Sequence, residues 1–341
     1  MNILIVRVSS LGDVVHNMPM VSDIRRHYPD ANIDWVVEEG YASLVRLNSD
    51  VRRIIPFALR RWRKSLFTAA TRAEMSEFRQ QLKQDAYDFV FDTQGLLKTS
   101  VVMRMARLAP KGKRVGLANA TEGSGYEPIS RIFHNLSVVV GLRTHAVLRA
   151  RQVAAQALGY NVDGPADFNL KIPFISPGHS PTWLPDTPYA VFFHGTARAE
   201  KQWAFANWIC IAQQLSDRNV AILLPWGNAA EKQTAEKMAA NMPNARVLPK
   251  LPLMEAVMLA QRASLVIGVD TGLTHVAAAF TRPTIELYCD SPRWKTEGDW
   301  SASIVNLGDE GIAPTVEEVS GAVRTLLESK NDLGAPFGFL A

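Results

Sequence analysis

Twice along this chain, short apolar runs bounded by turn formers alternate with stretches whose apolar residues recur at helical spacing. That repetition admits few folds. Ile3-Leu4-Ile5-Val6-Arg7-Val8 and Ser264-Leu265-Val266-Ile267 read as strands buried on both faces. The first series continues through 33–37, 89–91 and 113–116, with a helix after the first strand running to about His27, amphipathic helices over 72–84 and 96–107, and a closing helix from about Arg143 to Leu158. The second series starts at Tyr189-Ala190-Val191-Phe192-Phe193-His194 and adds strands at 220–224, 247–248, 265–268 and 284–288. Strand alternating with helix implies a parallel sheet covered on both sides, so the expected fold class is α/β, with two doubly wound, Rossmann-like domains facing across a cleft. Gly164, Pro165, Pro173, Pro177, Gly178, Pro181, Pro185 and Pro188 punctuate a segment without periodicity. The expected layout is therefore a domain at 1–165, a linker at 166–188, a second domain at 189–312, and a C-terminal helix (about 315–328) and tail within 313–341 that can pack back on the first domain.

Composition narrows the class. With 47% hydrophobic and 21% charged residues, the 341-residue chain is of globular type. Cys210 and Cys289 are too few for a disulfide framework or a cysteine metal cluster and suit a reducing compartment. No signal peptide is read at Met1–Val6, and no apolar run approaches bilayer length.

Ligands of such sheets bind beyond the carboxyl ends of the strands. Gly268-Val269-Asp270-Thr271-Gly272-Leu273-Thr274-His275 joins a strand end to a helix start, where free N–H groups of Thr271-Gly272 and the helix dipole favour an anion. Asp270 marks the strand end and His275 lies one turn into the helix; the plain alternative is a capped helix with a surface histidine. The loop Ser9-Ser10-Leu11-Gly12-Asp13 follows the first strand, and Asp13 is either an N-cap or a general base at the cleft. This loop lacks GxGxxG, and no Walker A motif is present. In the second half, Thr196 and Lys201 could bind phosphate, Leu224-Pro225-Trp226-Gly227 could enclose a flat ring, Glu231 could accept from ribose hydroxyls, and 248–251 could form a base pocket. Residues 52–64 hold six cations (Arg52, Arg53, Arg60, Arg61, Arg63 and Lys64) with Phe57 and Trp62 interleaved and no acid. That run fits a polyanion; nucleic acid is disfavoured because no helix-turn-helix or RNA-binding signature accompanies it.

Together, Ser9-Ser10-Leu11-Gly12-Asp13-Val14-Val15-His16, Arg60-Arg61-Trp62-Arg63-Lys64, Leu224-Pro225-Trp226-Gly227 and Val269–His275 resemble glycosyltransferase family 9, the heptosyltransferases, from Asn2 to about Leu327. The basic run and Trp35-Val36-Val37-Glu38-Glu39-Gly40 favour the type I branch over type II. The resemblance implies the GT-B fold and transfer of L-glycero-D-manno-heptose, with inversion, from ADP-heptose to the Kdo region of Kdo-lipid A in the lipopolysaccharide inner core. It implies Asp13 as base and Lys201 as stabiliser of the departing diphosphate. Thr196, Lys201, Glu231, Leu251, Asp270, Thr271, Gly272 and His275 would line the donor; Ser10, Arg60, Arg61, Arg63 and Lys64 would hold the acceptor. No metal and no cofactor are expected. The implied location is cytoplasmic, peripheral on the inner face of the inner membrane, with an anionic membrane surface met through the basic run, Trp62 and Phe67.

The sequence departs from the family pattern at Ala197, at Tyr288-Cys289-Asp290-Ser291-Pro292 and at Leu251. Competing readings are a type II or other family 9 transferase with a different acceptor, a sugar-nucleotide epimerase on a similar scaffold, and a non-catalytic lipid A-binding protein.

Overall fold

The computed structural model describes residues 1–172, 181–185, 187–196 and 198–328. It divides into two compact units, Met1–Ile172 and Pro173–Ala341.

In the first unit, β1 (Asn2–Val6), β2 (Asn32–Glu38), β3 (Val51–Phe57), β4 (Tyr87–Asp92), β5 (Leu108–Leu117) and β6 (Leu136–Val138) form one parallel sheet in the order β3-β2-β1-β4-β5-β6. In the second, β7 (Tyr189–Phe193), β8 (Ala221–Leu224), β9 (Ala245–Val247), β10 (Leu265–Val269), β11 (Thr284–Tyr288) and β12 (Ile304–Gly308) run β12-β11-β10-β7-β8-β9, again all parallel. Numbered within its own unit, each sheet has the same doubly wound order. The strand order reverses beside β1 and β4 in one and beside β7 and β10 in the other, and helices crossing on opposite faces leave a crevice at such a point. The central strands are the most apolar because both faces are covered: Ile3–Val6 and Leu265–Ile267 have no exposed surface.

Several elements differ from the sequence reading. The helix expected to run on to His27 is two helices, Leu11–His16 and Met18–His27, and Pro19 sits in the first turn of the second, where its missing N–H is harmless. The first part of the basic run, 52–57, lies in a strand, β3, at the sheet edge. Part of the expected linker belongs to the first unit: Lys171 N–H donates to Leu47 O at 2.8 Å, Asn48 Nδ2 to Phe168 O at 3.1 Å, and Phe168 is buried. The last helix, Val316–Glu328, packs into the second unit's core through Val319, Ala322, Val323 and Leu326, and Gln214 Nε2 reaches Ser320 Oγ at 2.6 Å. The expected tail 331–341 and Ala197 lie outside the described residues.

Candidate active site

At the reversal point of the first unit, the chain leaves β1 through Arg7-Val8-Ser9-Ser10 into the helix Leu11–His16. Asp13, in the first turn, folds back to its own N-terminus: Ser10 N–H and Oγ–H donate to Asp13 Oδ2 at 2.9 and 3.0 Å. Its other oxygen meets Arg7 Nη2 at 2.5 Å. Arg7 is buried, and its Nη1 donates to Thr93 O at 2.5 Å. Desolvation pushes the Asp13 carboxyl upward. The Arg7 charge and the Ser10 N–H outweigh it, so the group is held well below the usual carboxylate range and is ionised. The side chain remains 37% exposed. In this position it caps the start of its own helix.

Around this loop lie cations that the sequence reading did not single out. Lys98 Nζ donates to Ser9 Oγ at 3.3 Å, and its ammonium is lowered by burial and then by the nearby Arg60 and Arg63 charges. Arg149 is buried, donates to Thr121 Oγ1 at 2.7 Å, and is pushed down to about 10 by burial and the Arg7 charge. Lys98 lies in a helix and Arg149 in another, far along the chain from Asp13, so no local pattern joins them.

The basic run divides by role. Arg52 and Arg53 both grip the fully buried Asp34 at 2.8 Å and Asp85 at 2.7 and 2.9 Å, a structural cluster under the edge strand. Arg61 bridges Glu39 and Glu74 at 2.9 and 2.8 Å. Trp62 is buried against Phe57 and Phe78 and donates Nε1–H to Glu74 at 2.8 Å. It cannot face a membrane, which corrects its assignment as a surface anchor. Arg60, Arg63 and Lys64 are exposed and form no ion pair among the described residues, whereas Phe67 is 91% exposed.

In the second unit, β10 ends at Val269 and the helix Gly272–Ala279 begins behind the N-cap Thr271. Gly268 is required there: a Cβ would lie 2.1 Å from Thr274 Oγ1, which itself donates to Val269 O and fixes the turn. Thr271, Gly272 and Leu273 remain partly exposed, and the first helical N–H groups have no intrahelical acceptor.

Asp270 is the hub. Lys201, from the short turn Ala199–Lys201, forms an ion pair with Asp270 Oδ2. His275 Nε2 meets Asp270 Oδ1 at 3.1 Å, and its Nδ1 meets Glu286 Oε1 at 3.0 Å. His275 is thus buried between two carboxylates, not a surface residue. Burial opposes its charge, but Glu286 and Asp270 push the imidazole up to about 10. Asp270 is desolvated too, yet His275 and Lys201 hold it far below the usual range. Glu286, absent from the sequence reading, is the residue that completes this chain.

Glu231 caps the next helix, Ala229–Ala239: Oε2 accepts from Gly227 N–H at 2.6 Å and Oε1 from Asn228 Nδ2 at 2.7 Å. It shares a cavity of about 200 Å³ with His194, Thr196, Asn228 and Thr234. Gly195 runs against the Glu231 carboxylate, where a Cβ would come within 2.7 Å. Trp226 Nε1–H donates to Leu248 O at 2.7 Å and ties together the two loops expected to hold a base; Leu251, partly exposed, lies just before the helix Leu253–Arg262. Among the described residues no group of three His, Cys, Asp or Glu side chains is placed to hold a metal.

Two Rossmann-like units of the same strand order are the architecture of the GT-B glycosyltransferases. Glycosyltransferase family 9 (heptosyltransferase) matches residues 75–322. Lipopolysaccharide heptosyltransferase 1 of Pseudomonas aeruginosa is 38% identical over 91% of this chain and 84% of its own length. Its Escherichia coli K12 counterpart is 37% identical over 84% and 88%. The structure of E. coli heptosyltransferase WaaC with ADP superposes with a TM-score of 0.80 at 32% identity, covering 96% of this chain and all of that one. The chain belongs to glycosyltransferase family 9, the heptosyltransferases.

Proposed function

We propose that this enzyme transfers L-glycero-D-manno-heptose from ADP-heptose to the Kdo region of Kdo-lipid A during assembly of the lipopolysaccharide inner core, with inversion at the anomeric carbon. The observation that supports it most is the ionised, partly exposed Asp13, whose loop is joined through Ser9 to Lys98, a cation that in turn feels the charges of exposed Arg60 and Arg63, a set suited to an acidic sugar. Similar enzymes point the same way: one solved WaaC structure holds ADP-2-deoxy-2-fluoro heptose, at 33% identity over 97% of this chain.

In this reading Asp13 takes the proton of the acceptor hydroxyl as its oxygen attacks the anomeric carbon. The bond to the diphosphate breaks and ADP leaves with the electron pair. Lys201 and the N–H groups at Gly272 and Leu273 stabilise the charge that develops on the leaving group, the work a metal does elsewhere. Asp270, Thr271 and His275 line the donor sugar and phosphates, Thr196 and Glu231 its nucleotide end, and Leu251 the base. On the acceptor side, Ser10, Arg60, Arg63 and Lys64 are joined by Lys98, with Arg61 contributing through its acidic bridge. No helix among the described residues is long and apolar enough to cross a membrane. We place the enzyme peripherally on the cytoplasmic face of the inner membrane, held by Arg60, Arg63, Lys64 and Phe67; sedimentation with liposomes that showed no preference for anionic lipid would remove that placement.

The test is ADP release from ADP-heptose, with and without Kdo-lipid A, in the presence of a chelator. Release that needs the acceptor and survives chelation is expected. Release only with already heptosylated core would move the enzyme to the type II reaction, and release arrested by the chelator would overturn the metal-free mechanism.

A further inference from the structure

Glu286 lies in the middle of β11, Thr284-Ile285-Glu286-Leu287-Tyr288, with no exposed surface. A carboxylate in the centre of a buried parallel strand is costly unless every oxygen is engaged. Here each is. Oε1 faces His275 Nδ1 at 3.0 Å, and Oε2 accepts from Tyr288 Oη–H and Gly298 N–H, both at 3.0 Å. Tyr288 and Gly298 both donate to Oε2, the pattern a carboxylate accepts, and Oε1 is left facing the histidine.

The consequence falls on His275. Its two ring nitrogens face two carboxylate oxygens, Glu286 Oε1 at 3.0 Å and Asp270 Oδ1 at 3.1 Å. A neutral imidazole carries one N–H and would turn a lone pair toward an anion at the other nitrogen. Only the imidazolium donates at both.

We infer that Glu286 is a positioning residue of the transfer reaction: by holding His275 as an imidazolium it keeps the Asp270 carboxylate charged and aimed when Lys201 turns from it to the leaving diphosphate. The inference rests on the proposed roles of Asp270 and Lys201. In the resting chain Glu286, His275, Asp270 and Lys201 alternate in sign and sum to zero. Once Lys201 engages the diphosphate, Asp270 would be a partly buried carboxylate without a cation, were His275 neutral. Titratable groups around the histidine come from each neighbouring element: Asp270 after β10 and Glu286 on β11 face its ring, Tyr288 on β11 donates to Glu286, and Glu297 in the following loop acts on Glu286. The helix Leu253–Arg262, which packs on the histidine's own helix, buries only Ala256, Val257, Leu259 and Ala260.

Glu286→Gln keeps the shape and removes the charge. His275 in this variant keeps Asp270 but loses the other carboxylate while its burial is unchanged, so its proton affinity falls and the imidazolium is lost at lower pH than in wild type. Turnover of the variant should fall about tenfold or more at pH 8 and recover to within about threefold of wild type at pH 6, while KM for ADP-heptose changes less than kcat. A merely structural defect would depress activity at every pH. A variant profile parallel to wild type overturns the inference. Independently of folding or activity of the variant, NMR titration of ring-labelled wild-type enzyme should show His275 doubly protonated at pH 8.5; a neutral ring there refutes it. The NMR result requires no substrate. An enzyme that ignored Kdo-lipid A but showed a charged His275 would therefore lose the proposed acceptor and keep the charge chain.

Discussion

Replacing Arg7 with Met should move the acid limb of the pH–rate profile, because Arg7 is the largest of the influences that lower the proton affinity of Asp13, ahead of Ser10 and His16. In the native protein Arg7 Nη2 lies 2.5 Å from Asp13 Oδ1, and Ser10 occupies the other oxygen. Two unit charges about 4 Å apart interact by about 1 kcal/mol in water and about 4 kcal/mol at an effective dielectric of about 20. With the Asp13 side chain 37% exposed, screening places this pair in the lower half of that range, about 1–2 kcal/mol, or roughly one unit of pKa. The sign is unambiguous. Arg7 favours the carboxylate, so removing it raises the pKa, and the desolvation that Arg7 outweighed then pushes the same way. Wild-type kcat/KM should stay level down to the acid limit of stability. Arg7→Met should raise the Asp13 pKa by that one unit, so its acid limb lies about one unit above that of wild type, with activity lost as pH falls through it. The assay is ADP release under limiting acceptor from the lowest pH at which both proteins stay folded up to pH 9, with donor binding checked separately. An unshifted limb, with Asp13 still required, would refute the claim that this pair sets the base.

Three further outcomes follow from the same geometry. Asp13→Asn should leave donor binding intact and cut turnover by about 10²–10⁴, read in the same ADP-release assay; near-native turnover would exclude Asp13 as the base. Lys201→Met should lower kcat by about 10²–10³ when the leaving group is ADP, and isothermal titration should show weaker ADP binding, since the ammonium that pairs with Asp270 is no longer there to meet the diphosphate. Trp62→Ala should cost about 3–5 kcal/mol by urea unfolding, since it empties the contact with Phe57 and Phe78, and liposome binding of the folded fraction should be unchanged.

What the sequence disclosed follows the burial of each element. Central strands β1, β7 and β10 read clearly because both faces are covered and nearly every residue is apolar, and β4 through its apolar middle Phe89-Val90-Phe91. The strands it missed, β3, β6 and β12, are sheet edges. β3 carries Arg52, Arg53 and Pro56, residues an edge tolerates and a central strand does not, so its pattern was absorbed into a charge run. The same misreading credited Arg52 and Arg53 to ligand binding, although their partners Asp34 and Asp85 come from 18 or more residues away in the chain. The loops with Asp13 and Asp270 were legible because a strand end, a small residue and a helix start adjoin in sequence. The partners that set their charge were not, since Arg7 is read as part of a strand, and Lys98 and Glu286 arrive through tertiary packing.

One signal was nonetheless present and unused. In Thr284-Ile285-Glu286-Leu287-Tyr288 a single carboxylate interrupts a strand whose other residues predict full burial. A buried anion must have donors, and the nearest residue type able to supply a counter-charge in the adjoining element is His275, 11 positions earlier at the start of a helix. The same rule applies to Asp34 in β2, where two arginines and Tyr87 answer the charge. The two cases differ in what lies at the far end. The Asp34 cluster closes on itself, with Asp85 and Tyr87 completing the contacts of Arg52 and Arg53. The Glu286 chain leads outward through His275 and Asp270 to Lys201, whose side chain is 21% exposed beside a helix start with unspent N–H groups. Arg52 at the end of the Asp34 cluster is at least as open to solvent as Lys201, so exposure does not separate the two; on the roles proposed for Lys201 and Asp270, what does is the helix start beside Lys201, where a network can exchange a partner for a ligand without stranding a charge.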